Sequence, residues 1–148
     1  MEPNIHINMT AVLIAVVANF IFGAIWYMPL FGKAWAKEMK MDPNGPKPPA
    51  SVMYKGMAIM VIGNFLMAYV FSHNIAVWNP VTWGQAASTM PAMQNAFMAA
   101  FFTWLGFYLP QDLGRIAWEN SSWKLFFING VYHFLSLLIA AIILIQMA

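Results

Sequence analysis

The sequence predicts an all-α, polytopic membrane protein in which four transmembrane helices form one domain, 1–148, and both termini lie outside. Three observations carry that expectation. Hydrophobic residues make up 61% of the chain and charged residues 8%, against about a quarter charged in soluble domains. Four apolar runs approach the roughly 20 residues that a helix rising about 1.5 Å per residue needs to cross a core of about 30 Å. The basic residues are confined to alternate connections.

The first run covers about 7–30, with no formal charge between Glu2 and Lys33. It ends in Trp26-Tyr27-Met28-Pro29-Leu30-Phe31-Gly32-Lys33. Rings with a polar tip favour the headgroup layer, proline stops a helix, and lysine marks the cytoplasmic side. Trp26, Tyr27, Pro29, Gly32, Lys33 and Trp35 are therefore read as an inner-interface motif. Phe31, Trp35 and Met39 then recur every four residues with Lys33, Lys37 and Lys40 on the other sides. That pattern suits a short helix lying on the membrane, its lysines against anionic headgroups. Residues 42–49 are rich in proline, which removes donors and fixes backbone angles, so they are expected to form an exposed cytoplasmic linker.

The second run covers about 52–71, with Lys55 snorkelling to the interface. The third covers about 90–110, entered through Ser88 and Thr89 as N-caps with Pro91 in the first turn. The fourth covers about 123–146 and is entered through Asn120-Ser121-Ser122. None shows the charged face of a soluble amphipathic helix. Lys33, Lys37, Lys40, Lys47 and Lys55 flank the first connection, and Arg115 and Lys124 flank the third. By the positive-inside rule both connections face the cytoplasm. The second connection, 72–89, carries Trp78 and Trp83 and is expected at the outer interface; the third, 111–122, should hug the inner one.

The seven basic residues are scattered over membrane-flanking segments, which is no footprint for nucleic acid. Without cysteine there are no disulfides, thiolate metal sites or thiol catalysis. Met53, Met57, Met60 and Met67 form a row that with a histidine would suit Cu(I), but methionine at helical spacing is read as adaptable packing. No metal or cofactor is expected.

The halves suggest a parallel 2+2 repeat. Trp26-Tyr27-Met28-Pro29 before Gly32-Lys33 and Trp35 is matched by Phe107-Tyr108-Leu109-Pro110 before Gly114-Arg115 and Trp118. Polar residues within spans are costly to leave unpaired and face the bundle interior. Ala15, Asn19, Gly23 and Trp26 share one helical face; so do Met57, Met60, Asn64 and Ala68, then Asn95, Ala99, Thr103 and Gly106, and finally Asn129, His133, Ser136 and Ala140. Asn19 lies about 15 Å from Pro29, and Asn64 and His133 about 14 Å from Lys55 and Lys124. These spacings predict a mid-membrane polar layer of Asn19, Asn64 and His133, with Tyr132, Ser136, Thr103 and Asn129 near it. Interhelical bonding without a ligand is the plainer reading of that layer. No carboxylate is expected at its depth, and a lone histidine is insufficient for catalysis, so no enzyme is expected.

Gly23, Trp26-Tyr27, Pro29, Phe31-Gly32 and Trp35, with Trp104, Gly106-Phe107, Lys124, Ile128-Asn129 and Tyr132, make the chain similar to a family of bacterial integral membrane proteins, domain of unknown function 1761. The resemblance implies a four-span protein of the bacterial inner membrane and carries no activity. The expected function is to bind or pass a small solute at the polar layer as a homo-oligomer among membrane lipids. The alternative is a non-catalytic accessory or scaffold subunit of a larger membrane complex.

Overall fold

The computed structural model describes residues 2–148, which form helices and loops with no strand among the described residues. Helix α1 (Met9–Ile25) starts at Asn8, whose Oδ1 accepts from the Ala11 amide at 3.2 Å, and runs on through a π-helical turn, Trp26–Leu30. Pro29 lies inside that turn. It has no N–H to offer the preceding turn, and the helix widens so that the Phe31 N–H reaches the Trp26 carbonyl at 2.8 Å. After α2 (Gly32–Glu38) and the irregular stretch 42–49 comes α3 (Ala50–Trp78). A short 3₁₀ turn, Pro80–Trp83, precedes α4 (Ala92–Thr103), a second π-helical turn at Trp104–Tyr108, and α5 (Leu109–Glu119). The chain ends with α6 (Trp123–Gln146).

Three helices are long and apolar enough to cross a membrane: Met9–Leu30, Ala50–Trp78 and Trp123–Gln146. They mark a multi-pass membrane protein. The apolar run at 90–110 is instead divided among α4, the π turn and the start of α5, and Gln94 and Asn95 dilute its first turn. Helix α3 continues past Phe71 because Ser72 and His73 do not leave it. Ser72 Oγ donates to the Tyr69 carbonyl at 2.7 Å, and His73 Nδ1 lies 2.8 Å from the same oxygen. Pro91, not Ser88 or Thr89, occupies the N-cap of α4; the Ser88 hydroxyl accepts from the Met90 amide in the loop before it.

Helix α6 is the central element, packed against α1 and α4, while α1 packs against α3. Without a hydrophobic drive between helices in lipid, close approach of small residues is what stabilises such contacts. Ala11, Ala15, Ala68, Ala96, Ala100, Ala140 and Ala141 supply it and are all but fully buried. This tight half adjoins the end at which the termini meet the second connection: the Asn4 amide donates to Thr82 O at 2.9 Å, and Asn8 Nδ2 to Met147 O at 2.7 Å. Towards the opposite, lysine-bearing end the core becomes aromatic, with Trp26, Ile128 and Tyr132 surrounded by Phe22, Tyr27, Phe31 and Trp35. There α3 parts from its neighbours: Asn64, Ala68, Phe71 and Ser72 are buried, but every residue from 50 to 63 is exposed.

Helix α2 is tied to the bundle as well as lying beside it. Ser122 Oγ caps α6 by accepting from the Leu125 amide at 3.1 Å and donates to the Glu38 carboxylate. The corner leading into α2 allows no side chain at Gly32, where a Cβ would stand 2.6 Å from the Tyr27 carbonyl oxygen. Gly32→Ala should therefore cost about 1–3 kcal/mol, since a backbone atom must move. Gly63→Ala, which meets open space in the middle of α3, should instead raise stability in detergent by about 0.5–1 kcal/mol, since glycine is a poor helix former. Equal melting temperatures for the two variants would show that the corner yields.

Candidate functional site

A cleft of about 730 Å³ fills the space that α3 leaves beside α1 and α6. Helix α1 and its π turn contribute Asn19, Gly23, Tyr27 and Met28; α3 contributes Met57, Met60 and Asn64; α6 contributes Asn129, Tyr132 and His133. Trp35 of α2 and Arg115 and Glu119 of α5 stand at its lysine-bearing side. Its volume lies in the range of sites for drug-sized molecules, about 300–1,000 Å³.

Asn19 and Asn64 define its polar wall. Asn19 is 0% exposed, yet neither its Nδ2 nor its Oδ1 has a hydrogen-bond partner among the described residues. Asn64 is 8% exposed, and its Nδ2 is likewise unpartnered. A buried polar group left in this state costs about 1–3 kcal/mol. Such side chains are unusual within a packed interior.

Asn129, by contrast, is engaged. The Tyr27 hydroxyl donates to its Oδ1 at 2.7 Å, and the Tyr27 ring meets Tyr132 and Trp35 edge-on with centroids 4.9 and 5.8 Å away. Gly23 makes room for this cluster: a Cβ there would lie 3.0 Å from the Tyr132 hydroxyl. His133 Nδ1 lies 2.7 Å from Asp112 Oδ2, and the Asp112 side chain is 4% exposed. Asp112 engages Nδ1, and Nε2 is the ring nitrogen it does not contact. Tyr108 and Tyr132 flank the imidazole with ring centroids 5.2 and 5.8 Å away.

Of the residues expected in the polar layer, Asn19, Asn64, Asn129 and His133 line one cleft. Ser136 is buried, with its hydroxyl turned back on the His133 carbonyl at 3.0 Å, and does not line it. Thr103 lies outside it too, because α4 presents Ala96 and Ala100 to the bundle and leaves Asn95 and Gly106 exposed. Within the interface motif, Tyr27 and Trp35 reach the cleft, whereas Trp26 is buried with Nε1 donating to Ile128 O at 3.1 Å. Pro29, Gly32 and Lys33 shape the corner from outside the cleft.

The expectation that no carboxylate reaches the layer is corrected by Asp112. Sequence reasoning ended the third span at Pro110, but proline is tolerated in the first turn of a helix, and the chain continues as α5. The signal was present in Tyr108, Asp112, Arg115 and Glu119, whose spacing makes one polar stripe along that helix. Among the described residues no three His, Asp or Glu side chains converge as a metal site.

Because leucine nearly matches asparagine in shape and needs no partner, Asn19→Leu should stabilise the ligand-free protein by about 1–3 kcal/mol. Thermal unfolding in lipid nanodiscs measures this. A lowered melting temperature would mean that the Asn19 amide is satisfied in the membrane.

No curated protein and no solved structure matches the chain. Residues 10–145, nearly its whole length, match the family model described as protein of unknown function (DUF1761), and the chain belongs to that family.

Proposed function

We propose that this chain is a non-enzymatic protein of the bacterial inner membrane that binds or passes a small polar solute through the cleft. One observation carries the reading: Asn19 is sealed from solvent, with both amide atoms unpartnered, at the wall of a cavity large enough for a ligand. A carboxamide offers a donor and an acceptor together, and Asn64 adds a second free donor. A solute carrying both kinds of group would convert two unfavourable side chains into contacts once the cleft opens enough to uncover amide atoms that are sealed in this structure. Hydrogen-bonding geometry and cleft width would then set selectivity.

The proposal includes a fourth crossing, made by α4 together with its π turn and the start of α5. A parallel 2+2 repeat fits the order of elements, since each half reads as a helix, a π turn opened by tryptophan, a short helix and a long helix. Both termini would lie outside and the lysine-bearing end in the cytoplasm. Lipids would cover the apolar faces, and copies of the chain would associate as a homo-oligomer. A second reading, an accessory or scaffold subunit of a larger membrane complex, is favoured by the first half of α3, where Val52, Met53, Ile59 and Ile62 are all more than half exposed.

Reconstituted liposomes test the solute reading with glycerol, urea and neutral amino acids as probes. The native chain should pass at least one probe faster than empty liposomes do. Asn64→Leu and His133→Ala should each bring the rate down at least tenfold. Native flux at the empty-liposome level across all these probes sinks the conduit and leaves the scaffold reading. For orientation, Lys47 in the exposed linker should resist a membrane-impermeant amine reagent applied to intact cells and react after lysis. Reaction in intact cells inverts the topology.

A further inference from the structure

We propose that the cleft takes its ligand from the bilayer: a single-chain, uncharged amphiphile whose head group is drawn to Asn64 and Asn19 while its apolar tail stays in the lipid. The head carries both a hydrogen-bond donor and an acceptor, the chemistry of a monoacylglycerol. The inference deepens the solute reading and rests on one part of it, that the two amides meet the ligand.

The cleft is a slot with unlike walls. Helix α6 and the residues before it present Ser121, Leu125, Asn129 and His133 at four-residue intervals, about 6 Å apart, so a mainly polar track descends one face. Helix α3 answers with Met57 and Met60, whose flexible thioethers adapt to an apolar chain. The track starts beside Arg115 and Glu119 at the lysine-bearing end and stops at Asn64 and Asn19, where the alanine-packed half begins. Along α1 and its π turn the slot runs from Met28 to Asn19, nine residues or about 14 Å, close to half of a hydrocarbon core of about 30 Å. It therefore leads from one interface to the midplane and no further.

The open flank selects an occupant with a tail. Every residue from 50 to 63 is exposed, so no other part of the chain closes the slot on that side, and apolar chains of the bilayer would lie against it. Asn64 is the first buried residue of α3 beyond this free half. Displacing residues 50–63 costs little packing and can uncover the amides of Asn64 and Asn19, which are sealed in this structure. The head must bring a donor and an acceptor, because Asn19 lacks partners for both Nδ2 and Oδ1. It must be uncharged. Arg115 and Glu119 at the mouth have opposite formal charges, no lysine or arginine lines the slot beside the amides, and the Asp112 side chain is 4% exposed behind His133.

A monoacylglycerol with a diazirine near the head end of its acyl chain tests the site on the full chain in lipid nanodiscs. After illumination, peptide mass spectrometry should find the label on Phe20, Met57 and Met60 several times more often than on Leu13 and Val17, which are more than half exposed on α1. Monooleoylglycerol should abolish that excess. Methyl oleate, which has no donor, and oleate, which is charged, should need about tenfold more, the scale of one or two lost hydrogen bonds. Asn19→Leu and Asn64→Leu should each raise the monooleoylglycerol needed for half-protection about five- to tenfold. Met60→Trp, which fills the slot from its exposed wall, should remove the excess label with both amides in place. Label spread evenly over the exposed apolar surface, protection by methyl oleate or oleate at equal concentration, or amide variants protected like the native chain would overturn the proposal. Flux of glycerol or urea without a labelled slot removes the amphiphile and leaves the solute reading. A labelled slot beside flux at the empty-liposome level removes the conduit and leaves the amphiphile.

Discussion

A membrane offers no water to replace a missing backbone hydrogen bond, and this chain puts proline at Pro29 and Pro110, close to where two of its helices approach the lysine-bearing end. Much of the architecture follows from how that deficit is met. At each place the helix widens by a residue into a π turn that begins with tryptophan, Trp26 and Trp104, and the tryptophan carbonyl accepts from an amide five residues on. Each indole then donates to α6, Trp26 to Ile128 O at 3.1 Å and Trp104 to Gly130 O at 2.9 Å. Two carbonyls two residues apart thus receive a clamp from each half of the chain, and α6 is held centrally.

The two halves of the bundle along its axis do different work. Alanines near the termini bring α1, α3, α4 and α6 together and leave only a smaller pocket, about 280 Å³, at that end. Large rings near the lysine-bearing end keep α1, α2 and α6 packed on each other but give α3 no small-residue partner face. The cleft forms where one regime gives way to the other, and Asn19 and Asn64 stand at that boundary. Each unpartnered amide lowers the stability of the bundle, because a buried polar group without a partner keeps its desolvation cost.

How far the sequence could be read depends on which signals are local. Apolar length gave α6 to the residue and the first span, α1 with its π turn, to within two residues at its start, and Ser122 was legible as part of the entry to α6 because capping is chemistry within one turn. Helical spacing measured against Pro29, Lys55 and Lys124 put Asn19, Asn64 and His133 at one level, and these three line one cleft together with Asn129. The end of α3 was not, since Ser72 and His73 look like the start of a loop until they are seen bonding Tyr69 within the helix. Nor was the packing face of α4: polar Asn95 and Thr103 suggested one stripe, while tight contact with α6 selected Ala96 and Ala100. Asp112 was hidden for a different reason, because a proline was taken to end a helix that in fact absorbs it.

That absorption also decides which side chain meets His133. Helix α4 faces α6 through Ala96, Ala100 and Trp104, and an unbroken helix would extend the face through Phe107 and Gln111. One residue inserted by the π turn advances the face by about 100°, the rotation of a residue in a helix with about 3.6 per turn. Phe107 is accordingly turned out, 72% exposed, while Tyr108 packs inward and Asp112 becomes 4% exposed against His133. Gln111 is exposed. The wide turn therefore both accommodates the region of Pro110 and selects a carboxylate over an amide for the partner of the cleft histidine. In this chain the defect that satisfies the backbone and the placement of the Asp112–His133 pair are a single structural event.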